Sequence, residues 1–389
     1  MTSRRATRSM TRRHRNSLPV PDDLAMEIFS RLPSKAMARC RCACKLWSSM
    51  LRSQDFTDSF LTKSCARPQL LFACEDHSVS KYIFFSSPQP ENPEENSYVV
   101  AANPLACFPS SYVLFGCTSG FLCYGAKPIL EGRINPAYVP VICNPSTGQS
   151  LILPTLKSRK RFGVESYLGY DSVSKELKVL SMELSFVSGH SVRHQVLTLG
   201  TKKLMWRLVE CCVPHRSSGK WICISGALYY AARAAGSSVN SMVVCFDLRS
   251  ETFSSVMFSK AMPDSTTLVN YGGKLGLLMS GDSHGVTRAS TSFELWVVPD
   301  AAKHEWSKHV YVLPPSWKNV VAAKIMYFAG IVGTNEIILA PWFQRVPYFV
   351  IYYNVESKKV RKVGIQGLEA FQGKSIKTYL NYVENVKLL

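Results

Sequence analysis

Cysteine, histidine and glycine-lysine clusters are the places in this chain where chemistry could reside. Cys40, Cys42 and Cys44 come nearest to a metal-ligand pattern. On a helix, however, only Cys40 and Cys44 share a face, and neither a Cys-x-x-Cys pair nor a histidine pair lies nearby. Cys211, Cys212 and Cys223 also lack ligand spacing. The eight histidines, among them His77, His194, His215, His284 and His309, are scattered. Gly367 to Ser375 has the look of a phosphate loop, but five residues separate Gly367 from Gly373 where the nucleotide-binding motif needs four. It reads instead as a loop between strands. No Gly-x-Ser-x-Gly elbow and no His-Glu-x-x-His helix occurs. The expectation is no catalytic site, no cofactor and no metal. The 13 cysteines then serve mostly as small hydrophobes in a reducing compartment, as in Val244-Cys245-Phe246.

With no local catalytic motif, the weight falls on surfaces. Residues 18 to 56 form a helical segment with too much apolar surface for its size. A piece of about 40 residues buries little core of its own. Pro21 suits a first helical turn, and Asp22 and Asp23 favour the positive end of the helix. Leu24, Ile28 and Leu32 recur every four residues and share one face. Arg31 falls in the last turn, Pro33 stops the helix, and Ser34 is placed to cap a second one. Met37, Cys40, Cys44, Trp47 and Leu51 then form one stripe, with Arg39, Arg41, Lys45 and Arg52 off it. Such a module ahead of a β domain is either a docking device for another protein or a hairpin packed on its own sheet.

Pro21 to Leu24, Glu27 to Pro33, Arg41 to Trp47, and Asp55 with Phe56 together resemble the plant form of the F-box. That resemblance implies docking onto a Skp-type adaptor and, through it, a cullin-based ubiquitin ligase. By position it assigns Pro21, Leu24, Ile28, Leu32, Pro33, Met37, Cys44 and Trp47 to the adaptor-facing surface or its support. Ala36 and Ala43 stand where larger aliphatics are usual, and Cys40 where an aromatic is common. These smaller groups bury less area and would weaken docking.

The 389 residues leave room for one large domain beside the small module, and 46% hydrophobic content suits a globular chain. Its longest apolar runs fall short of the roughly 18 residues of a membrane span. The Arg-rich N-terminus lacks the apolar run of a secretory signal, so the chain is expected in the nucleus, the cytoplasm or both. The formal charge is +19, and six arginines without an acid occupy the first fifteen residues. That tail, residues 1–17, reads as disordered. It could serve as a nuclear-import signal, an acid-binding arm, or a merely solvated tail. Further basic clusters lie at Lys157 to Arg161, at Lys202, Lys203 and Arg207, and at Lys358 to Lys362. The surplus alone would suit nucleic acid, yet no nucleic-acid-binding module accompanies it.

Beyond residue 68 short apolar runs alternate with Gly, Pro, Asn, Asp and Ser, the pattern of many short strands. A degenerate strand-turn-strand unit recurs. Taking Asn144, Leu199, Asp247, Val298 and Asn354 as equivalent, the steps are 55, 48, 51 and 56 residues. A period of about 50 suits a kelch-type propeller blade of four strands. One period further back lies Leu70 to Ala73, which makes about six blades. Glycines at Ser119-Gly120, Ser225-Gly226 and Gly272-Gly273 are expected on inner strands where backbones approach closely.

Asn144 to Gly148, Leu168 to Ser172, Lys175 to Val179, and the closing Tyr382 to Asn385 resemble the plant F-box-associated domain. This implies a propeller-like domain that captures a protein substrate. The expected organisation is a basic tail over 1–17, the F-box over 18–61, a linker over 62–68 and an all-β propeller over 69–389. Its fold class is α+β multidomain. The protein would act as the substrate receptor of a Skp-cullin-F-box ligase. The readings left standing beside it are an F-box scaffold or transcription cofactor outside a ligase, a nucleic-acid binder, and a propeller enzyme.

Overall fold

The computed structural model describes Val20 to Leu389 apart from residues 91–98, 110–112, 127–137, 157–162, 185–190, 235–240, 282–284, 299–304, 322–323 and 344–346. The tail over 1–17 and the basic cluster from Lys157 to Arg161 lie outside the described residues.

Four short helices open the described chain: α1 (Asp22–Phe29), α2 (Ser34–Ala43), α3 (Lys45–Met50) and α4 (Gln54–Cys65). Pro21 precedes α1, and Asp22 and Asp23 occupy its first turn. Helix α1 ends at Phe29, so Arg31 lies just past it, paired with Glu27 at 2.8 Å. The stripe expected on a single second helix is split. Cys44 adopts an extended conformation (φ −157°, ψ 160°) between α2 and α3, and its Sγ accepts the Trp47 N–H at 3.4 Å. Pro33, not Ser34, takes the cap position of α2, which leaves the Ser34 hydroxyl to bond elsewhere. The linker expected over 62–68 is shorter than that, because α4 runs on to Cys65 and the first strand opens at Gln69.

Six sheets follow, antiparallel except for one edge pair. The first blade is β1 (Gln69–Asp76), β2 (Lys81–Pro88) and β4 (Asn103–Pro109), completed on its inner edge by the last strand of the chain, β25 (Ile376–Tyr382). The short strand between them, β3 (Val99–Ala101), crosses to the sixth blade and pairs there in parallel. The second blade is β5 (Val113–Thr118), β6 (Phe121–Ala126), β7 (Val139–Asn144) and β8 (Gln149–Ile152). The third is β9 (Gly163–Asp171), β10 (Glu176–Leu184), β11 (Ser191–Thr198) and β12 (Arg207–Val209). The fourth is β13 (His215–Ile224), β14 (Ala227–Ala234), β15 (Ser241–Asp247) and β16 (Phe253–Phe258). The fifth is β17 (Thr267–Tyr271), β18 (Lys274–Ser280), β19 (Ser292–Val297) and β20 (Ser307–Val312), followed by the one-turn helix α5 (Trp317–Val321). The sixth is β21 (Met326–Val332), β22 (Glu336–Pro341), β23 (Tyr348–Asn354) and β24 (Val360–Gln366).

Each blade buries both faces. Side chains alternate across a strand, so in β1 Leu70, Phe72 and Cys74 pack toward the sixth blade while Leu71 and Ala73 pack toward the second. Every pair of neighbouring blades shares one apolar cluster, and six such clusters close the ring. Two-sided burial explains why strands such as Tyr348–Asn354 read as continuous apolar runs.

The repeat read from the sequence falls on third strands. Asn144, Asp247 and Asn354 end β7, β15 and β23, while Leu199 and Val298 follow β11 and β19 by one residue. Extrapolation one period back lands on β1, a second strand, because the first blade takes its inner strand from the far end of the chain. The recurring glycines have a different role from the one expected. Ser119-Gly120 and Ser225-Gly226 have φ of 50° and 82°, and 49° and 82°, in the tight turns that join inner to second strands. Such turns need left-handed backbone at both positions. Glycines in these pairs therefore serve a turn and not an approach to the axis.

Candidate functional site

Two surfaces of the helical module differ sharply. Inward, Ala25, Phe29, Met37, Leu51, Phe56 and Phe60 form a small core. Its seventh buried member is Val386, contributed by the C-terminal segment beyond β25. Outward, Val20, Leu24, Ile28, Leu46 and Trp47 remain 37% to 61% exposed. Leu24 and Ile28 share a face of α1, and the Trp47 ring meets Phe29 edge-on at 5.0 Å, which brings α3 against α1.

Of the residues assigned by resemblance, Pro21, Leu24, Ile28, Pro33, Cys44 and Trp47 are exposed, and Leu32 is half-buried. Met37 is 1% exposed and belongs to the core, where it supports the surface without forming it. Leu46, the most exposed of these apolar groups, was not singled out from the sequence. The helical period could have found it only if the break at Cys44 had been known.

The remaining surface of the module joins the propeller through the C-terminal segment. The Ser34 hydroxyl donates to Glu384 Oε1 at 2.9 Å, and the Arg41 guanidinium donates to the Val386 carbonyl at 2.6 Å. Burial lowers the affinity of Arg41 for its proton, and that carbonyl, with the Leu51 carbonyl at 3.3 Å, holds the charge. Lys175, in the turn after β9, pairs with Asp58 of α4. Glu27 of α1 is held below the usual carboxylate range by hydrogen bonds from Lys63 and Arg31.

The stretches that resemble the associated domain meet at this junction. Asn144 is fully buried, and its Nδ2 donates to the carbonyls of Asn385 at 2.9 Å and Lys387 at 3.1 Å. The Tyr382 hydroxyl lies 2.7 Å from Ser146 Oγ, and Asn385 Nδ2 donates to the Ser119 carbonyl at 2.9 Å. Those residue types therefore fasten the chain terminus under the propeller.

The phosphate-loop resemblance dissolves in the same way. Gly367 to Ser375 joins β24 to β25 through a 3₁₀ turn at Glu369–Phe371, and Lys374 is engaged with Asp76 at 2.8 Å. Cys40, Cys42 and Cys44 gather no cluster of three potential ligands among the described residues. Among the described residues, three potential metal ligands come together at one place only: His194, Cys211 and His215. Their sequence spacing gave no hint, because they lie on different strands and a connecting segment.

At the opposite end of the propeller a second apolar group is exposed. Ile325, Trp342 and Phe343, 40% to 64% exposed, stand where β21 begins and β22 ends. No helix among the described residues is long and apolar enough to cross a membrane.

A helical module with an exposed apolar face, fastened beneath a six-bladed β-propeller, defines a two-part protein of helical module and propeller. The F-box domain model matches residues 18–59, and the F-box associated beta propeller domain model matches residues 69–384. The F-box protein DOR of Arabidopsis thaliana is 46% identical over the full length of both chains. Putative F-box protein At3g23960 of the same plant is 48% identical over 99% of this chain and 96% of its own. The chain belongs to the F-box protein family, in the group that carries the associated β-propeller. Proteins of this family generally act as non-catalytic adaptors. The matched propeller model is the F-box-associated one, and kelch-type character rests on the blade period alone.

Proposed function

We propose that this protein is the substrate receptor of a Skp-cullin-F-box ubiquitin ligase. Its exposed Leu24, Ile28, Leu46 and Trp47 face docks on a Skp-type adaptor, and the propeller captures a target protein. Holding the target near a ubiquitin-charged enzyme raises its effective concentration, so the receptor itself performs no bond chemistry.

The observation that carries this reading is the division of labour within the module. It packs on its own propeller, as a self-packed hairpin would, but through Ser34, Arg41, Asp58 and the core around Val386. The face that carries Leu24, Ile28 and Trp47 is left to solvent. The exposed Ile325, Trp342 and Phe343 lie at the far end and are candidates for target contact.

Co-purification with a plant Skp adaptor tests this, comparing wild type with Leu24→Arg and Leu32→Arg. A stoichiometric wild-type complex weakened at least about 30-fold by Leu24→Arg is expected, the scale of a central interface anchor. Leu24 is half in solvent, so this variant keeps the fold, and an unchanged thermal melt checks that. A folded wild type that binds no adaptor would sink the ligase reading and favour a scaffold or transcription cofactor acting outside a ligase.

A further inference from the structure

We propose that His194, Cys211 and His215 form a binding site for one zinc-class divalent cation at the seam between the third and fourth blades. His194 stands on β11, the third strand of one blade. His215 is the first residue of β13, the inner strand of the next, and Cys211 lies on the segment that leads into it. One ligand atom from each lies within 4.8 Å of the other two. Two imidazoles and one thiolate are a donor set that suits zinc, with a fourth position for water or a neutral oxygen. Tetrahedral zinc holds such donors about 3.5 Å apart, so side-chain rotations of about an ångström complete the geometry.

Two observations independent of the clustering point to a ligand. The Nε2 atom of His194 is buried and has no hydrogen-bond partner among the described residues, on a residue only 6% exposed. An orphaned imidazole nitrogen in a protein interior is unfavourable unless something occupies it. Next, the His215 Nδ1 lies 2.7 Å from the Val213 carbonyl, which fixes Nδ1 as the donor and turns the Nε2 lone pair inward. Metal-ligating histidines are commonly held by just such a bond from the second nitrogen. In the metal-free protein that lone pair is engaged by the Tyr230 hydroxyl at 3.0 Å, with the Ser191 hydroxyl 3.2 Å away and donating to the His215 carbonyl, so a cation would displace the Tyr230 bond and find these two hydroxyls as neutral oxygens for its fourth position.

Binding also balances chemically. Burial raises the Cys211 thiol, so in the absence of metal it is protonated and donates to the Val213 carbonyl at 3.4 Å. A divalent cation forms the metal–sulfur bond as the S–H bond breaks, and one proton leaves to solvent. Both histidines bind as neutral bases and release none. The site would clamp the connection between the two blades at the end of the propeller opposite the F-box, where β13 begins.

The test uses the full-length chain, stripped with chelator and reloaded with zinc or cobalt. Expected results are about one zinc per chain, a rise in Tm of about 3 °C or more, and a cobalt–thiolate charge-transfer band in the near ultraviolet. Cys211→Ser should remove that band and lower zinc affinity at least about 10-fold, whereas Cys212→Ser should leave both as in wild type. A folded wild type without bound zinc and without the cobalt band overturns the site. So does a Cys211→Ser protein that binds both metals like wild type.

Discussion

The F-box leaves Leu24, Ile28, Leu46 and Trp47 in solvent, whereas the propeller buries strands such as Tyr348–Asn354 along their whole length. Both regions are rich in apolar side chains, but they dispose of them differently. A blade has a neighbour on each side, so both of its faces find partners and the ring needs nothing else. The helical module has one inward face, supplied with a core residue from outside, Val386, and one outward face with no partner among the described residues. A self-sufficient ring beside a helical piece with an exposed apolar face is the arrangement on which the proposed receptor role rests. The C-terminal segment joins them, since residues after β25 bond to Asn144 and Ser119 on one side and to Ser34 and Arg41 on the other.

The largest effect expected from breaking this contrast is truncation after Tyr382. Loss of Val386 and its neighbours opens the helical core and removes its hydrogen bonds to the propeller, together about 3–5 kcal/mol of module stability. Limited proteolysis should then cleave within residues 20–65 while the propeller survives as a resistant fragment. An equally resistant helical module would show that it folds without the terminus.

A matched pair of alanine substitutions sharpens the comparison next. Ile338→Ala, at a fully buried position between the sixth and first blades, should destabilise by about 2–4 kcal/mol. Leu24→Ala, 53% exposed in wild type, should stay within about 0.5 kcal/mol. Chemical denaturation of both variants provides the measurement, and similar losses at the two positions would contradict the division.

A smaller effect concerns pH and lies wholly within the propeller. His194 is pushed down to about 4 in the fold, mainly by burial and then by His215, from an ordinary value of 6.5. The unfolded chain therefore binds more protons than the folded one between these values. This contribution is fully present above pH 6.5, shrinks as pH falls toward about 4, and amounts to on the order of 2 kcal/mol in metal-free protein. His194→Phe should flatten the difference in melting temperature between pH 7 and pH 5 relative to wild type. An unchanged slope would show that His194 titrates normally.

Much of the architecture was legible because it is written in local period. Alternating and continuous apolar runs with turn residues at a step of about 50 marked the blades, and they fall on successive third strands. The spacing of Leu24 and Ile28 marked α1, whereas Leu32, expected on the same face, lies beyond the helix end and packs half-buried against the inward core. The break at Cys44 was hidden, since a period of 3.6 continues through a one-residue extended kink without a change in residue type. Leu46 was therefore missed and the single stripe was expected.

What the sequence by itself determined is thus the presence of strands, helices and an unpartnered apolar face, since propensity and periodicity are properties of neighbours along the chain. Only the tertiary structure decided which distant segments meet. Closure of the first blade by β25 pairs residue 69 with residue 382, and no local pattern carries that information. The same holds for Val386 in the helical core and for His194, Cys211 and His215 at one seam. Those contacts exist because six blades must close a ring to bury their faces, and ring closure fixes what lies beside what.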